Sequence, residues 1–199
     1  MVKPVLVGIL ALQGDFAAHA RALERVGAAP RLVRTAEDLE GLEGLILPGG
    51  ESTTMLKFLQ QGGFWERLRA FVERRPTFGT CAGAILLARQ VTNPEQASLG
   101  ALDATVVRNA YGRQLESSIV RAEVAPEYAA ALGTKELEAV LIRAPQFAEL
   151  GPGVEVVASA GGQPVLLRQG HIVAASFHPE LSEGTAVHRW FVGLVARGG

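Results

Sequence analysis

Residues 44–54 read Gly-Leu-Ile-Leu-Pro-Gly-Gly-Glu-Ser-Thr-Thr, an apolar stretch followed by a glycine turn and a group of hydroxyl residues. A short apolar run bounded by turn residues is typical of a buried strand, and Ser or Thr favours the start of a helix. We therefore predict a strand over residues 44–47 and a helix that opens at Ser52 or Thr53 and runs toward Gln61. A strand that passes through a glycine turn into a helix is the repeating unit of an α/β sheet.

The same unit occurs before and after this stretch. Residues 5–12 form an apolar run, and Asp15 can cap a helix predicted over residues 16–26. Residues 79–83, Gly-Thr-Cys-Ala-Gly, form another glycine turn between an apolar strand and the helical run of residues 84–88. This alternation indicates a parallel sheet with helices on both faces and ligands beyond the carboxyl ends of the strands. Weaker signals between these units predict a strand at residues 31–33, a helical turn at 35–40 and a helix at 64–73.

The second half of the chain is richer in strand signals, and a helix over residues 185–196 closes it. No internal repeat and no long linker divides the chain, so residues 1–199 are predicted as one domain with a surface loop at residues 93–98. We predict an α/β fold with a mostly parallel central sheet, helices on both faces, a cysteine nucleophile elbow and additional strands in the second half. Those additional strands are predicted at residues 102–107, 119–124, 139–142, 154–160, 164–168 and 172–177.

The composition excludes some classes of function. The 199 residues include 19 Lys and Arg against 20 Asp and Glu, which gives a formal net charge of −1. This balance argues against a protein that binds nucleic acid or membranes by strong electrostatic attraction. Lys3 and the apolar run after it superficially resemble a signal peptide, but the run is too short to span a bilayer and leads directly into an amphipathic segment. We interpret the run as a buried strand.

Cys81 is the single cysteine, so the chain has neither an intramolecular disulfide nor a cysteine cluster for a metal, and we expect a cytoplasmic protein. It lies at the centre of the turn at residues 79–83, in the cysteine form of a nucleophile elbow. The flanking glycines permit a sharp turn, the helix N-terminus favours a thiolate, and the amide after Cys81 can face a developing oxyanion. The alternative is a buried structural cysteine, and only a nearby base decides between the two.

The segment Ser176-Phe-His-Pro-Glu180 offers such a base after the last apolar strand. In an extended segment residues i and i+2 share a side, so Glu180 can bond one ring nitrogen of His178 while the other faces the thiol. The alternative is a solvated surface turn. Of the other histidines, His19 and His188 are predicted on helix surfaces and His171 in a turn.

Metal chemistry has to be considered because zinc deaminases also use a His-x-Glu pattern. Those enzymes need a Pro-Cys-x-x-Cys pattern, which a single cysteine cannot supply, and the chain has no His-Glu-x-x-His helix. We predict no metal and no cofactor.

Two further features could bind an anion. The two glycines and hydroxyl residues of residues 47–54 can present backbone N–H groups to an oxyanion, although a tight turn with a helix cap explains them equally well. Arg108, in residues 108–114, and Arg143, in residues 142–145, lie near strand ends, where a guanidinium can bind a carboxylate with two hydrogen bonds. Most arginines are surface residues, so each alone indicates little.

Taken together, these segments resemble a known family, the glutaminase subunits of pyridoxal 5'-phosphate synthases, which are triad-type, class I glutamine amidotransferases. The elbow with a late His-Pro-Glu is shared by triad-type glutamine amidotransferases in general. The Leu-Gln-Gly-Asp, Gly-Gly-Glu-Ser-Thr-Thr and Arg-Asn-Ala-Tyr-Gly-Arg-Gln runs single out this subunit. The matching segments are residues 8–15, 47–54, 79–83, 108–114, 142–145 and 176–180.

The resemblance implies hydrolysis of L-glutamine to L-glutamate and ammonia. Cys81 would be the nucleophile, His178 the base and then the acid, and Glu180 the residue that orients the imidazole. The amide of Ala82 and a peptide group of the Gly49-Gly50 turn would form the oxyanion hole. The resemblance further implies that glutamine is held by Gly50, Glu51, Ser52, Arg108, Ile142 and Arg143.

The resemblance also implies a partner, a (β/α)8-barrel synthase subunit that receives the ammonia in a hetero-oligomeric complex. Three other interpretations stay open from sequence alone. A glutaminase subunit of another biosynthetic pathway would share the triad and elbow, but residues 108–114 argue against it. A cysteine peptidase or deglycase of the elbow type would often carry an acidic residue beside the cysteine and lack the late His-Pro-Glu. A non-catalytic binding module with only an apparent triad is the third.

Overall fold

The structure, a computed structural model, describes residues 3–109 and 117–198. Its helices are α1 (Phe16–Arg25), α2 (Ser52–Leu59), α3 (Phe64–Val72), α4 (Ala82–Leu87), α5 (Pro126–Leu132) and α6 (Ala186–Ala196), with short 3-10 helices at Glu37–Leu39 and Pro179–Leu181. Its strands are β1 (Leu6–Leu10), β2 (Ala29–Val33), β3 (Gly44–Leu47), β4 (Thr77–Thr80), β5 (Ala88–Thr92), β6 (Leu102–Val107), β7 (Ser117–Val124), β8 (Glu136–Ile142), β9 (Gln146–Leu150), β10 (Glu155–Ala160), β11 (Gln163–Gln169) and β12 (Ile172–Ala175).

Within that described part, a nine-stranded sheet has the order β2-β1-β3-β4-β12-β11-β10-β7-β8. Every pairing from β2 to β12 is parallel, and every pairing from β12 to β8 is antiparallel. The predicted α/β fold is therefore confirmed, with the additional strands joined to the same sheet. The last strand, β12, lies between β4 and β11 and joins the two parts.

Two apolar clusters cover the two faces of the sheet, because a parallel strand alternates its side chains between them. In β3, Leu45 and Leu47 pack in the cluster that includes α2, α3 and α4, whereas Ile46 packs in the cluster that includes α1, α5 and α6. The predicted helices on both faces are thus present.

Two strands and one α-helix were not predicted. Residues 88–92 form β5, and residues 146–150 form β9; both pair with β6 in a second, three-stranded sheet. The helical run predicted to Ala88 ends at Leu87, because Ala88 already pairs with Leu102 in this sheet. These two short strands depend on pairing with a distant segment, which local sequence does not specify. The sequence did contain signals for α5, namely a proline in its first turn and a glycine, Gly133, directly after its end.

No helix within residues 3–109 and 117–198 combines the length and the apolar character that crossing a membrane requires.

Candidate active site

Cys81 lies between β4 and α4 with φ 48° and ψ −105°, a conformation that is strained for a residue with a side chain. Its N–H donates to the carbonyl oxygen of Ala175 in β12 at 2.8 Å. A Cβ on Gly79 would lie 2.6 Å from the backbone of Gly83, and a Cβ on Gly83 would overlap the carbonyl oxygen of Leu47. The turn therefore needs both glycines, as the elbow interpretation requires, and it holds Cys81 at the carboxyl end of the parallel sheet.

His178 follows β12, the strand that neighbours β4, and its N–H donates to the carbonyl oxygen of Val140 in β8 at 2.9 Å. Its ring Nδ1 lies 2.8 Å from Oε1 of Glu180, whose side chain is completely buried. The predicted pairing of the two residues is present, but its local cause differs. The chain turns into the 3-10 helix Pro179–Leu181 directly after His178, so this turn, rather than an extended segment, brings the carboxylate to the imidazole.

The pKa of His178 shows which groups face its ring. Burial lowers the pKa, but hydrogen bonds to Cys81 and Glu180 and the negative charges of both groups outweigh burial and raise the pKa to about 10. Since Nδ1 is used by Glu180, Nε2 is the atom left to bond Cys81. The three residues thus form a connected thiol–imidazole–carboxylate arrangement.

The turn after β3 completes this arrangement from a second side. A Cβ on Gly49 would lie 2.8 Å from Nδ1 of His178 and 3.4 Å from Cβ of Cys81, so the imidazole occupies space that only a glycine leaves free. A Cβ on Gly14, in the turn after β1, would overlap the carbonyl oxygen of Gly49. That carbonyl is therefore directed toward β1. Because β3 lies between β1 and β4, and the peptide is trans, the N–H of Gly50 is left on the side of Cys81.

α2 begins at Ser52, as predicted, and Glu51 is its N-cap. Its carboxylate accepts hydrogen bonds from the N–H groups of Thr53 at 3.2 Å and Thr54 at 2.9 Å, and from the Thr54 hydroxyl. The Thr54 hydroxyl is the largest of the contacts that lower the pKa of Glu51. The N–H of Glu51 donates to Oε1 of Gln13 at 2.6 Å, which fixes the turn from the β1 side.

Arg108, at the end of β6, reaches the same helix start. Its guanidinium donates to the Thr53 hydroxyl at 3.0 Å and lies 3.9 Å from the Glu51 carboxylate. Ser52 donates to Oε1 of Gln96 at 2.9 Å, and sequence reasoning missed this glutamine because residues 93–98 were interpreted as a surface loop. Of the run at residues 108–114, residues 110–114 lie outside the described residues.

Ile142 and Arg143 border the thiol from a third side. The carbonyl oxygen of Ile142, the last residue of β8, lies 4.0 Å from Sγ of Cys81. Arg143 follows with a left-handed φ of 42°, so the chain bends sharply beside Cys81. All predicted site residues that the structure describes therefore lie on the loops around Cys81 or at the start of α2.

The prediction that His19 and His188 lie on helix surfaces is wrong, since both are completely buried. Nδ1 of His19 is 2.9 Å from Nε2 of His188, and Nε2 of His19 is 3.3 Å from Oε2 of Glu180 and 3.2 Å from the Thr80 hydroxyl. The helix pattern contained the signal. His19 lies four residues before Leu23 on the buried face of α1, but a polar residue was not counted as part of that face.

No group of three or more His, Cys, Asp and Glu side chains in the described ranges has an arrangement that could hold a metal ion. The chemistry that the described residues offer is nucleophilic. A buried thiol with a neighbouring imidazole can attack a carbonyl carbon, and the imidazole can transfer the proton that the reaction requires.

Comparison with known proteins agrees with this chemistry. Residues 9–197 match the model of the SNO glutamine amidotransferase family. A relative from Koribacter versatilis, pyridoxal 5'-phosphate synthase subunit PdxT, is 55% identical over 192 residues, which cover 96% of each chain. A subunit of the same name from Thermus thermophilus is 52% identical and covers 95% of this chain and 97% of its own. A crystal structure described as a glutamine amidotransferase superposes with a TM-score of 0.87 at 50% identity, covering 96% of this chain and 98% of the other. Because the family model and these relatives extend over nearly its whole length, the chain belongs to the SNO glutamine amidotransferase family.

Proposed function

We propose that the chain hydrolyses the carboxamide of L-glutamine to L-glutamate and ammonia and that this ammonia feeds pyridoxal 5'-phosphate synthesis. One observation carries the proposal: the strained Cys81 lies beside the ring of His178, and Nδ1 of that ring lies 2.8 Å from Oε1 of the buried Glu180. Together with membership of the glutamine amidotransferase family, this arrangement supplies a nucleophile, a proton carrier and a residue that orients it.

In the first half of the reaction, the Cys81 sulfur attacks the carboxamide carbon and the carbonyl π electrons move onto the oxygen. The N–H groups of Ala82, at the start of α4, and Gly50 are proposed to stabilise this oxyanion, and the orientation of the Gly49 carbonyl toward Gly14 supports that role for Gly50. His178 then donates its proton to the amide nitrogen, the C–N bond breaks, and ammonia leaves a thioester on Cys81.

In the second half, His178 accepts a proton from water, and the resulting hydroxide equivalent attacks the thioester carbon. Collapse of this intermediate breaks the C–S bond and restores the thiolate–imidazolium pair. The product leaves as a carboxylic acid, which loses its proton to water to give L-glutamate. Glu180 transfers no proton. Its carboxylate accepts the Nδ1–H of His178, which leaves Nε2 directed at Cys81 through both halves.

Glutamine itself is proposed to bind between the helix start at residues 50–52 and the chain at Ile142 and Arg143. The Ile142 carbonyl oxygen, 4.0 Å from the Cys81 sulfur, can accept a hydrogen bond from the carboxamide N–H groups. Arg108 supplies positive charge beside residues 51–53. Since the Glu51 carboxylate is used as a helix cap, this segment offers the substrate mainly backbone groups.

The proposed partner is a synthase subunit, as the names of the relatives imply, and we propose that it is a (β/α)8-barrel. A complex has a chemical reason of its own. Free ammonia near neutral pH becomes ammonium, which has no lone pair to attack a carbonyl, whereas direct transfer avoids this loss.

We further propose that residues 1–199 act as one domain, because one apolar cluster includes residues of both sheets. We also propose that the protein works in the cytoplasm, where its thiol stays reduced.

Covalent labelling tests the function. The complex with the synthase subunit is incubated with a glutamine analogue that carries an electrophilic diazoketone in place of the carboxamide, and the modified residue is located by mass spectrometry. We expect labelling of Cys81, prevented by excess glutamine, together with glutamine-dependent formation of pyridoxal 5'-phosphate before labelling. Unlabelled Cys81 in a complex that binds the analogue would contradict the proposal.

A further inference from the structure

A row of buried polar groups continues behind the proposed triad. Glu180 uses Oε1 for His178, and its other oxygen, Oε2, lies 3.3 Å from Nε2 of His19. His19 in turn lies 2.9 Å from His188, and the side chains of Glu180, His19 and His188 have no exposed surface. The row joins the 3-10 helix at Pro179–Leu181 to α1 and α6. Glu180 Oε2 has no hydrogen-bond partner among the residues that the structure describes, so the ring of His19 is a close polar contact of this oxygen rather than an aligned donor.

The hydrogen-bond pattern selects one tautomer of each histidine. If His188 donates its Nε2–H to Nδ1 of His19, then His19 carries its proton on Nε2, facing the Glu180 carboxylate. Nδ1 of His188, which has no partner among the described residues, is then an acceptor without a proton. The opposite assignment would bury an unpaired N–H on His188 and would place a lone pair of His19 against a carboxylate, so it carries two penalties.

The charge state agrees with that pattern. Burial is the largest cause that lowers the pKa of His19 well below its usual range, followed by repulsion from His188 and His178. A neutral His19 can lie against Oε2 without cancelling the charge of the carboxylate. Glu180 thus keeps its full attraction for the proton on His178, which a cation at position 19 would weaken.

Thr80 links the same N–H to the nucleophile. The Thr80 hydroxyl lies 3.2 Å from Nε2 of His19 and is better aligned with its N–H than Oε2 is. Thr80 directly precedes Cys81, so the ring of His19 touches both the residue that orients the base and the residue that begins the elbow. A change at position 19 should therefore move Glu180 relative to Cys81.

We propose that His19 is a positioning residue of the glutaminase site, which holds Oε2 of Glu180 so that Oε1 stays on Nδ1 of His178, with His188 fixing the tautomer of His19. This inference rests on the proposed function. His19 does not reach the substrate, so its effect is on turnover through Glu180 rather than on glutamine binding.

Two amide variants test the proposal, because each of them keeps a different contact of the His19 ring. In His19→Gln, the amide N–H can reach the position of Nε2, beside Glu180 and Thr80. In His19→Asn, the shorter amide replaces Nδ1 and keeps the contact with His188 but does not reach Glu180. With saturating synthase subunit, we expect His19→Asn to lower kcat for glutamine roughly 10- to 100-fold with KM changed less than about threefold, and His19→Gln to recover most of the loss. Equal losses in both variants would overturn the proposal.

A double-mutant cycle separates positioning from general destabilisation. If His19 acts through Glu180, His19→Asn should cause little further loss in a Glu180→Gln background, whereas a structural defect would add its full effect. His171→Leu is the matched control, since His171 bonds the Val72 carbonyl at 2.8 Å at the opposite end of β12 from Cys81. We expect this control to keep the wild-type kcat.

Nitrogen NMR of the wild-type complex tests the tautomer without any variant. We expect the His19 signal to show a proton on Nε2 and none on Nδ1, and the opposite pattern would contradict the proposal even if the variants do not fold.

Failure of the proposed function and failure of the proposed role of His19 give different results. A wild-type complex without glutaminase activity contradicts the proposed function. An active wild type, an inactive Cys81→Ala and a fully active His19→Asn contradict only the role of His19.

Discussion

Histidines lie on both sides of Glu180, and their pKa values are shifted in opposite directions. On the catalytic side, contacts with Cys81 and Glu180 overcome burial and raise the pKa of His178 to about 10. On the interior side, burial is the main cause that lowers the pKa of His188 to about 4, and nearby Arg25 lowers it further. Burial alone therefore does not determine the charge of a histidine. A nearby carboxylate alone does not either, since His19 has a lowered pKa although its Nε2 lies 3.3 Å from Oε2 of Glu180. His178 differs because it also contacts Cys81.

The largest expected effect comes from the catalytic side. Cys81→Ala should reduce glutamine hydrolysis on the order of 10⁴-fold or more, because the reaction loses its nucleophile. The free energy of unfolding should change little, since alanine also fits the turn. Glutamate release is the measurement, and formation of pyridoxal 5'-phosphate from added ammonium salts by the complex is the control, which should remain. Near-native glutamine turnover would show that Cys81 is not the nucleophile.

The next effect distinguishes the two members of the His178–Glu180 pair. His178→Asn should be nearly as damaging as the loss of Cys81, because no group remains to carry the proton. Glu180→Gln should be milder, with a loss of about 10²-fold, since the carboxylate orients the ring but transfers no proton. Steady-state kinetics ranks the variants, and circular dichroism checks that they fold. A fully active His178→Asn would exclude the triad.

A smaller effect is expected from Gly49→Ala, which alters only the space available to the imidazole. The added Cβ would lie against the ring, 2.8 Å from Nδ1, and should displace it from Glu180. We expect kcat to fall on the order of 10- to 100-fold. Gly184→Ala is the matched control, because a Cβ there meets no atom within 4 Å. Equal activity of the two variants would mean that the ring has room to move without loss.

The smallest effect concerns stability on the interior side. The pKa of His188 is about 4 in the folded protein and about 6.5 in the unfolded chain, so the unfolded state binds a proton more readily as the pH falls from 6.5 to 4. This histidine should remove about 2 kcal/mol from the free energy of unfolding between pH 7.5 and pH 5. Chemical denaturation at several pH values measures it. His188→Gln should reduce this acid-side decrease in the free energy of unfolding, and an unchanged decrease would contradict the prediction.

The raised pKa of His178 predicts the opposite sign at alkaline pH. Its stabilising contribution is fully present below the unfolded value near 6.5 and is lost as the pH rises through about 10. His178→Asn should therefore reduce the loss of the free energy of unfolding on the alkaline side. An equally steep alkaline loss in the variant and the wild type would show that His178 is not its source.

The features that could be predicted from the sequence are those that depend on neighbouring residues. The parallel strands, the glycine turns, the elbow around Cys81 and the two-residue spacing of His178 and Glu180 each depend on residues close together in the chain. β5 and β9 were missed because each depends on pairing with β6. Burial of His19 was missed for a related reason. Whether a polar residue on a helix faces solvent or the sheet depends on which distant groups share its hydrogen bonds, here His188 and Thr80.

The position of β12 has a consequence for the synthesis of the protein. Cys81 follows β4, but the strand that carries His178 to it is the last one in the sheet and inserts between β4 and β11. Contacts between segments this far apart along the chain form late in folding, because a long loop must first close. A chain still emerging from the ribosome can therefore fold its first strands and helices while its thiol has no base. Glutamine hydrolysis becomes possible only after β12 and residues 178–180 have been synthesised and have paired with β4, so shorter nascent chains release no ammonia.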